Sequence, residues 1–206
     1  MIKLDHVTKT YKNGTVALDD VSLEIEKGEF VFLVGPSGSG KSTLLGLLAG
    51  LDVPSEGRVE IDEQDLFSLD EDGRAALRAR TVGFVFQSFN LLPMLTAEQN
   101  ILLPLELAGT RVDRTWLDTL VTAFGIADRL DHLPSQLSGG QIQRVAISRA
   151  LITSPAVVFA DEPTGNLDPD LSIEIMDLFR EINAGGTTVL VATHDRDLIR
   201  HVGRRL

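Results

Sequence analysis

Four stretches of the chain are continuously apolar. They are Phe30–Val34, Thr81–Phe86, Ala156–Ala160 and Thr188–Ala192. Apolar runs of this length, bounded by turn residues, are typical of strands buried on both faces of a parallel sheet. Shorter segments with a strand-like pattern lie nearer the N-terminus, separated by glycines, at Ile2–Thr8, Val21–Ile25 and Arg58–Ile61. We therefore expect a mostly parallel sheet together with a smaller β part.

Segments with helical spacing follow or separate these strands, at Lys41–Leu51, Ile142–Ile152 and Leu171–Asn183. Between residues 88 and 154 strand patterns are almost absent, and Thr96–Leu107 and Asp113–Phe124 add further helical spacing. Strands and helices in this order predict an α/β fold with a helical insertion. We expect one domain over residues 1–206, with residues 1–87 and 155–206 as the α/β core and residues 88–154 as a helical subdomain.

The composition limits the classes of function. Hydrophobic residues make up 43% of the 206 residues and charged residues 24%, as in ordinary globular proteins. No apolar run approaches the roughly 20 residues that cross a bilayer. The N-terminal MIKLDHVTK has no signal-peptide core, and there is no cysteine. These features predict a cytoplasmic protein. The net charge of −11 argues against non-specific binding to nucleic acid.

The segment GPSGSGKST, Gly35–Thr43, lies between a predicted buried strand and a predicted helix. In that context G-x-x-x-x-G-K-[ST] predicts a phosphate-binding loop, whose backbone N–H groups converge on phosphate oxygens. Lys41 would reach the β- and γ-phosphates, and the Ser42 hydroxyl would bind Mg²⁺. A chance glycine-rich turn does not explain the strand, lysine, hydroxyl and helix in register. The predicted nucleotide-binding residues of this loop are Gly35, Pro36, Ser37, Gly38, Ser39, Gly40, Lys41, Ser42 and Thr43.

Polar residues follow three of the other apolar runs. VVFADE ends in two carboxylates, and we assign Asp161 to a metal ion and Glu162 to the general base that activates a water molecule. Gln87 follows TVGFVF and His194 follows TVLVAT. Either residue alone would more often be structural. Because ligands gather at the carboxyl ends of parallel strands, we expect these four residues to converge near the phosphate loop.

A second glycine-rich segment, LSGGQ, has no lysine. It comprises Leu137, Ser138, Gly139, Gly140 and Gln141, and a helical pattern follows it. A helix N-terminus attracts anions through its free N–H groups and its dipole. The residues alone leave two interpretations open: a serine N-cap with flexible glycines, or a group that complements a phosphate held elsewhere.

Together, these motifs resemble the nucleotide-binding domains of ABC transporters over essentially the whole chain. GPSGSGKST matches the Walker A motif, Gln87 the Q-loop, LSGGQ the signature and VVFADE the Walker B motif, while Gly165–Asp168 matches the D-loop and His194 the H-loop. The resemblance implies a P-loop NTPase core of the RecA-like type with a mostly parallel sheet, a small antiparallel β subdomain and an inserted helical subdomain. It also implies that Tyr11 stacks on adenine.

The resemblance further implies a Mg²⁺-dependent ATPase with ATP and Mg²⁺ as cofactors. Its catalytic residues would be Lys41, Gln87, Glu162 and His194, and its metal ligands Ser42, Gln87 and Asp161. Two copies would form a head-to-tail homodimer in which LSGGQ and Asp168 of one copy close over the ATP of the other. The dimer would drive an integral membrane permease from the cytoplasmic face of the bacterial inner membrane.

Different segments resemble different members of the family. FQSFNLLPMLTAEQNILLPLELAG and ADEPTGNLD resemble the group containing MacB and LolD, whereas the N-terminal segment and GTTVLVATHDRDLI resemble FtsE. The membrane partner would then be FtsX-like or MacB-like. The alternative function is an FtsE-like, nucleotide-gated cell-division scaffold with slow hydrolysis. Family members usually continue for one or two strands beyond the H-loop, whereas this sequence ends at Leu206.

Overall fold

The computed structural model describes residues 2–165 and 167–202, with the backbone alone at Arg196 and Val202. Asn166 of the predicted D-loop lies outside the described residues. The strands are β1 (Ile2–Thr10), β2 (Val16–Ile25), β3 (Phe30–Val34), β4 (Glu56–Ile61), β5 (Gln64–Asp65), β6 (Val82–Val85), β7 (Val157–Asp161) and β8 (Thr188–Thr193). The α-helices are α1 (Lys41–Leu48), α2 (Glu71–Thr81), α3 (Ala97–Leu107), α4 (Arg114–Ala123), α5 (Gly139–Leu151), α6 (Pro169–Ala184) and α7 (Arg196–Val202).

The strands form two sheets. One is parallel, in the order β3-β8-β7-β6, and the other is antiparallel, in the order β2-β1-β4-β5. In the parallel sheet Val34 is opposite Thr193, and Asp161 is opposite Ala192. The carboxyl ends of these strands therefore lie side by side at one edge, where the polar residues that follow them meet.

Both faces of the parallel sheet are covered, which explains the continuous apolar runs. Val158 and Ala160 of β7 belong to a cluster with buried residues of α3, α4, α5 and α6. Val157 and Phe159, on the opposite face of the same strand, pack with α1 and the antiparallel sheet. Alternate residues of each strand therefore face two different apolar layers, and neither face is left to solvent.

The segment between residues 88 and 154, all of which the structure describes, contains α3, α4 and α5 and no strand. Its apolar residues share one cluster with the parallel sheet. Asn100 is fully buried and hydrogen-bonds the backbone of the loop that precedes α3. Its Oδ1 accepts from the N–H of Leu92 at 2.8 Å, and its Nδ2 donates to the carbonyl oxygens of Leu92, Leu95 and Thr96 at 3.0–3.1 Å. We propose to treat residues 88–154 as a helical subdomain packed on the core.

Several features differ from the sequence-based expectations: β5 and α7 were not predicted, β4 begins two residues earlier than predicted, and the two largest differences concern α2 and the first two strands. Helix α2 was not predicted, because its eleven residues, EDGRAALRART, are mostly polar and bury only Leu77. Strands β1 and β2 are longer than predicted, because pairing between them continues to Thr10 and Val16 through irregular register. Tertiary packing and strand pairing decided both outcomes. In the described part of the chain, no helix has the length and hydropathy needed to cross a bilayer.

Candidate functional site at the carboxyl edge of the parallel sheet

The phosphate loop connects β3 to α1, and its glycines are required by the backbone. Gly38 and Gly40 have φ of 80° and 90°, in the left-handed region that other residues rarely adopt. A Cβ atom on Gly40 would also collide with the carbonyl oxygen of Ala17. Helix α1 then begins at Lys41 with no side-chain cap, so its first N–H groups are not used by a capping side chain.

Lys41 folds back over this loop. Its Nζ donates to the carbonyl oxygens of Gly35 at 2.8 Å and Pro36 at 3.3 Å. The same atom lies 3.5 Å from Oε1 of Glu162, and both side chains are almost buried, 12% and 11% exposed. The ammonium group is therefore fixed at the mouth of the loop rather than free in solvent.

Glu162 directly follows β7 and lies between two partners. Its Oε1 is 3.0 Å from Nδ1 of His194, whose side chain is 69% exposed. Its backbone has a φ of 45°, a strained value for a residue with a long side chain, and its N–H donates to Ala192 at 2.9 Å. Such strain is typical of functional positions that the surrounding structure over-determines.

Asp161, the last residue of β7, and Gln87 are the candidate oxygen donors for a metal ion. Among the described residues, Oδ1 of Asp161 is buried without a hydrogen-bond partner. A buried carboxylate oxygen without a partner is costly unless a cation balances it. Gln87 and Ser42 line one cavity, so amide and hydroxyl oxygens are nearby. This donor set fits Mg²⁺, which takes one or two carboxylates and fills its remaining positions with water and phosphate oxygens.

A cavity of about 300 Å³ joins these residues. It is lined by Thr15, Val16, Ala17, Ser37, Gly38, Ser39, Gly40, Lys41, Ser42, Thr43, Gln87, Glu162 and His194. A larger cavity of about 670 Å³ lies between α4 and α6, where Trp116, Leu120 and Ile182 make it mostly apolar. We take the smaller cavity as the functional site, because the groups able to bind phosphate and activate water converge there.

Tyr11 lies beside the phosphate loop and is 40% exposed. Its hydroxyl is 3.2 Å from Oγ1 of Thr43. The ammonium group of Lys9 lies 5.1 Å from the centroid of the Tyr11 ring. The ring is thus attached to the loop through Thr43 and is available at the surface.

The LSGGQ segment lies elsewhere on the chain. Ser138 is the N-cap of α5: its hydroxyl accepts from the N–H of Gln141 at 3.3 Å, and Oε1 of Gln141 accepts from the N–H of Ser138 at 2.9 Å. Ser138 and Gly139 are exposed, Leu137 is half-buried, and Gly140 packs against Leu171. As far as the structure describes the chain, none of the five residues lines the phosphate cavity. Within one chain, the segment is an N-cap.

Asp168 of the predicted D-loop is also an N-cap. Its Oδ1 accepts from the N–H of Leu171 at 3.0 Å at the start of α6. Gly165, in the same loop, lies close to Glu162. The structure therefore brings residues 37–43, Gln87, Glu162 and His194 around one cavity. The other predicted site residues are not among those that line it: Tyr11, Gly35, Pro36, Asp161, Leu137–Gln141 and Asp168.

Helix α5 holds the loops of the site through residues that the sequence analysis missed. The guanidinium of Arg149 donates to the carbonyl oxygens of Phe89 and Asn90, each at 2.7 Å, and burial lowers the pKa of Arg149. Phe89 and Asn90, shortly after Gln87, have φ of 61° and 49°. The buried amide of Gln143 donates to the carbonyl oxygen of Pro163, next to Glu162. Nothing in the sequence marks these contacts, because the partners are 20 to 60 positions apart.

Comparison with known proteins gives a consistent assignment. Residues 18–165 match the family described as ABC transporter. The chain is 48% identical over 203 residues to the macrolide export ATP-binding/permease protein MacB of Syntrophobacter fumaroxidans, covering 95% of this chain and 28% of that protein. It is also 48% identical over 210 residues to the cell division ATP-binding protein FtsE of Mycobacterium tuberculosis, covering 100% of this chain and 90% of that protein.

A solved structure, the dimeric structure of MJ0796, a bacterial ABC transporter cassette, matches with a TM-score of 0.90 and 45% identity, over 98% of this chain and 91% of that chain. The predicted α/β fold class, with its parallel sheet and small antiparallel sheet, is confirmed. The chain spans less than a third of the length of MacB, with 28% of that protein covered. On the family match and these identities, the chain belongs to the ABC transporter ATP-binding family.

Proposed function

We propose that this ABC transporter ATP-binding subunit hydrolyses ATP in a Mg²⁺-dependent reaction at the cavity around Lys41 and couples hydrolysis to a membrane partner. One observation carries the proposal: Lys41 and His194 lie 3.5 Å and 3.0 Å from the same carboxylate oxygen of Glu162, in the cavity formed by the phosphate loop. A phosphate-binding cation, a carboxylate base and an imidazole are thus already within reach of one reacting group.

In this proposal, the backbone N–H groups of residues 37–43 and the ammonium of Lys41 hold the triphosphate. Tyr11 stacks on adenine through its exposed ring. Ser42, Gln87 and Asp161 would hold Mg²⁺, which when bound would neutralise charge on the phosphate oxygens. The orphaned oxygen of Asp161 supports this assignment, because a carboxylate oxygen buried without a partner is balanced by a cation.

Glu162 would accept a proton from the attacking water, with His194 contacting the γ-phosphate. The hydrogen bond between Nδ1 of His194 and Oε1 of Glu162 orients both side chains. Lys41 would offset the charge that develops on the γ-phosphate. Each of these three side chains lies at the end of the strand or loop that positions it.

We propose that the active form is a head-to-tail homodimer. In it, Leu137–Gln141 and Asp168 of one copy would complete the ATP site of the other. The position of LSGGQ supports this, because Ser138 and Gly139 are exposed and lie outside the cavity of their own chain. A solved relative of 45% identity is also described as dimeric. Two identical half-sites related by a two-fold axis form a closed assembly.

The output would be work on an integral membrane permease at the cytoplasmic face of the bacterial inner membrane. The names of the two relatives point to different outputs, macrolide export and cell division. Their identities of 48% and 48% favour neither. An FtsE-like scaffold with slow hydrolysis is therefore the second candidate. Stimulation of the ATPase by a reconstituted MacB-like or FtsX-like partner would separate the two.

The Glu162→Gln variant tests the proposal. The amide cannot accept the proton, so we expect steady-state ATP hydrolysis to fall by about 100-fold or more while ATP binding persists. Sedimentation with Mg-ATP should then show a stable dimer. Glu106→Gln, an exposed glutamate on α3, is the matched control and should hydrolyse ATP at the wild-type rate. Undiminished turnover in Glu162→Gln would remove Glu162 from the mechanism.

A further inference from the structure

Lys9, on β1, is buried to an unusual degree for a lysine, with 9% of its surface exposed. Its Nζ donates to Oδ1 of Asp52 at 2.6 Å and to the carbonyl oxygen of Val53 at 2.7 Å. These partners lie more than forty positions away, in the turn after α1. The ammonium group is therefore anchored by the fold.

The same ammonium group lies over the ring of Tyr11, with Nζ 5.1 Å from the ring centroid. This distance is within the about 6 Å at which a cation is attracted to an aromatic face. The other end of the side chain, the hydroxyl, is 3.2 Å from Oγ1 of Thr43. Tyr11 is therefore held at its ring by a cation and at its hydroxyl by the phosphate loop.

Asp52 keeps this cation in place. Its Oδ1 accepts from Nζ of Lys9 and from the N–H of Val53, the latter at 2.7 Å. Burial raises the pKa of Asp52, but the hydrogen bonds from Lys9 and from the N–H of Val53, together with the charge of Lys9, outweigh it and hold that pKa below its ordinary value. The carboxylate is thus ionised near neutral pH and fixes the position of the lysine.

We infer that Lys9 is a positioning residue for the purine base: anchored by Asp52 and Val53, it covers one face of Tyr11 and presents the opposite face to the base. The inference rests on the proposed function, in which Tyr11 stacks on adenine. A ring already ordered loses less entropy when the base binds. A cation on one face also draws π-electron density away from the other, which favours contact with an electron-rich purine.

Lys9 does not line the phosphate cavity, so its effect is on the base and not on the phosphates. The Lys9→Met variant, which keeps the length of the side chain and removes the cation, should bind ATP about three- to tenfold more weakly. Its affinity for inorganic tripolyphosphate, which has no base, should equal that of the wild type. The kcat at saturating ATP should be unchanged, because the loss is in ground-state binding.

Lys12→Met is the matched control, since Lys12 is an exposed lysine three positions later in the same segment. It removes the same charge and should leave both affinities unchanged. Asp52→Asn keeps the cation but weakens its anchor, and should reduce ATP affinity in the same direction by a smaller factor. This second variant also tests the inference if Lys9→Met proves too unstable to purify.

A spectroscopic test uses Tyr11, the single tyrosine of the chain. Protein labelled with 3-fluorotyrosine should give one ¹⁹F resonance that moves on addition of ATP and moves much less with tripolyphosphate. In Lys9→Met that resonance should be displaced before any nucleotide is added. A merely structural lysine would change the melting temperature without separating ATP from tripolyphosphate.

Equal ATP affinity in Lys9→Met and the wild type, or equal losses for ATP and tripolyphosphate, would overturn the inference. Binding of ATP and of tripolyphosphate by the wild-type protein distinguishes failure of this inference from failure of the proposed function. If the wild-type protein binds ATP no better than tripolyphosphate, the stacking role of Tyr11 fails. If it binds neither, the proposed nucleotide site itself is wrong.

Discussion

The two glycine-rich segments of this chain, GPSGSGKST and LSGGQ, both precede a helix, yet their backbones differ. In the first, Gly38 and Gly40 adopt φ of 80° and 90°, and no side chain caps the helix. In the second, Ser138 and Gln141 form a reciprocal capping box that uses two of the N–H groups. The first helix therefore begins without a capping side chain on its N–H groups, whereas the second has two N–H groups satisfied by its own capping box.

This difference supports our proposal that one segment binds a phosphate alone and the other only complements one. GPSGSGKST has a lysine folded over its loop, with Nζ 2.8 Å from the carbonyl oxygen of Gly35. LSGGQ has exposed residues at a helix N-terminus and no cation. We therefore expect the two segments to respond differently to the same kind of substitution.

The largest expected effect comes from Ser138→Arg. The new cation would lie at the positive end of α5 and in the proposed dimer interface, so turnover should fall by about 100-fold or more, as for loss of an essential catalytic group. ATP binding by the single chain should be unchanged, because Ser138 does not line the cavity. Ser68→Arg, at another exposed serine, should retain turnover. Normal hydrolysis by Ser138→Arg would end the proposed role of LSGGQ.

Two glycine-to-alanine substitutions, one in each segment, test this difference more directly. Gly40→Ala places a side chain at a φ of 90° and against the carbonyl oxygen of Ala17. It should reduce ATP affinity by tenfold or more and lower the free energy of unfolding by about 1–2 kcal/mol. Gly139 has open space around its position, so Gly139→Ala should lower neither the ATP affinity nor the free energy of unfolding. Calorimetric titration and chemical denaturation measure both, and equal losses in the two variants would contradict the distinction.

The smallest effect is expected from Arg149→Lys, which sharpens the link between the two segments. Arg149 is on α5, the helix that LSGGQ begins, and forks to the carbonyl oxygens of Phe89 and Asn90 near Gln87. A lysine cannot make this fork, so stability should fall by about 1 kcal/mol and turnover by a few-fold, with ATP affinity retained. Arg111→Lys, at an exposed arginine, is the control. A larger loss of ATP affinity than of turnover would show that Arg149 does not act through the loop after Gln87.

Much of the fold was predictable because local pattern and burial agree. Phe30–Val34 was predicted and observed with the same bounds, since a strand covered on both faces has to be apolar throughout. Helix α2 was missed, because packing stabilises its polar sequence through little more than Leu77. The sequence predicted that Gln87, Glu162 and His194 lie near one another, because each follows a parallel strand. The distances between their side chains depend on the order of the strands in the sheet, which only the folded structure shows.

The sequence by itself determined the ATP-binding cassette family and the parallel sheet, and it predicted the phosphate loop, because these depend on residue types at short, regular spacings. Tertiary structure alone decided that Arg149 and Gln143 hold the loops of the site and that Lys9 lies over Tyr11. The contacts of Arg149 and Gln143 join residues far apart in the chain. Lys9 is only two positions from Tyr11, but its anchors over the ring, Asp52 and Val53, are more than forty positions away. The energy of these contacts comes from burial and geometry that exist only after folding, so the sequence carries no local trace of them.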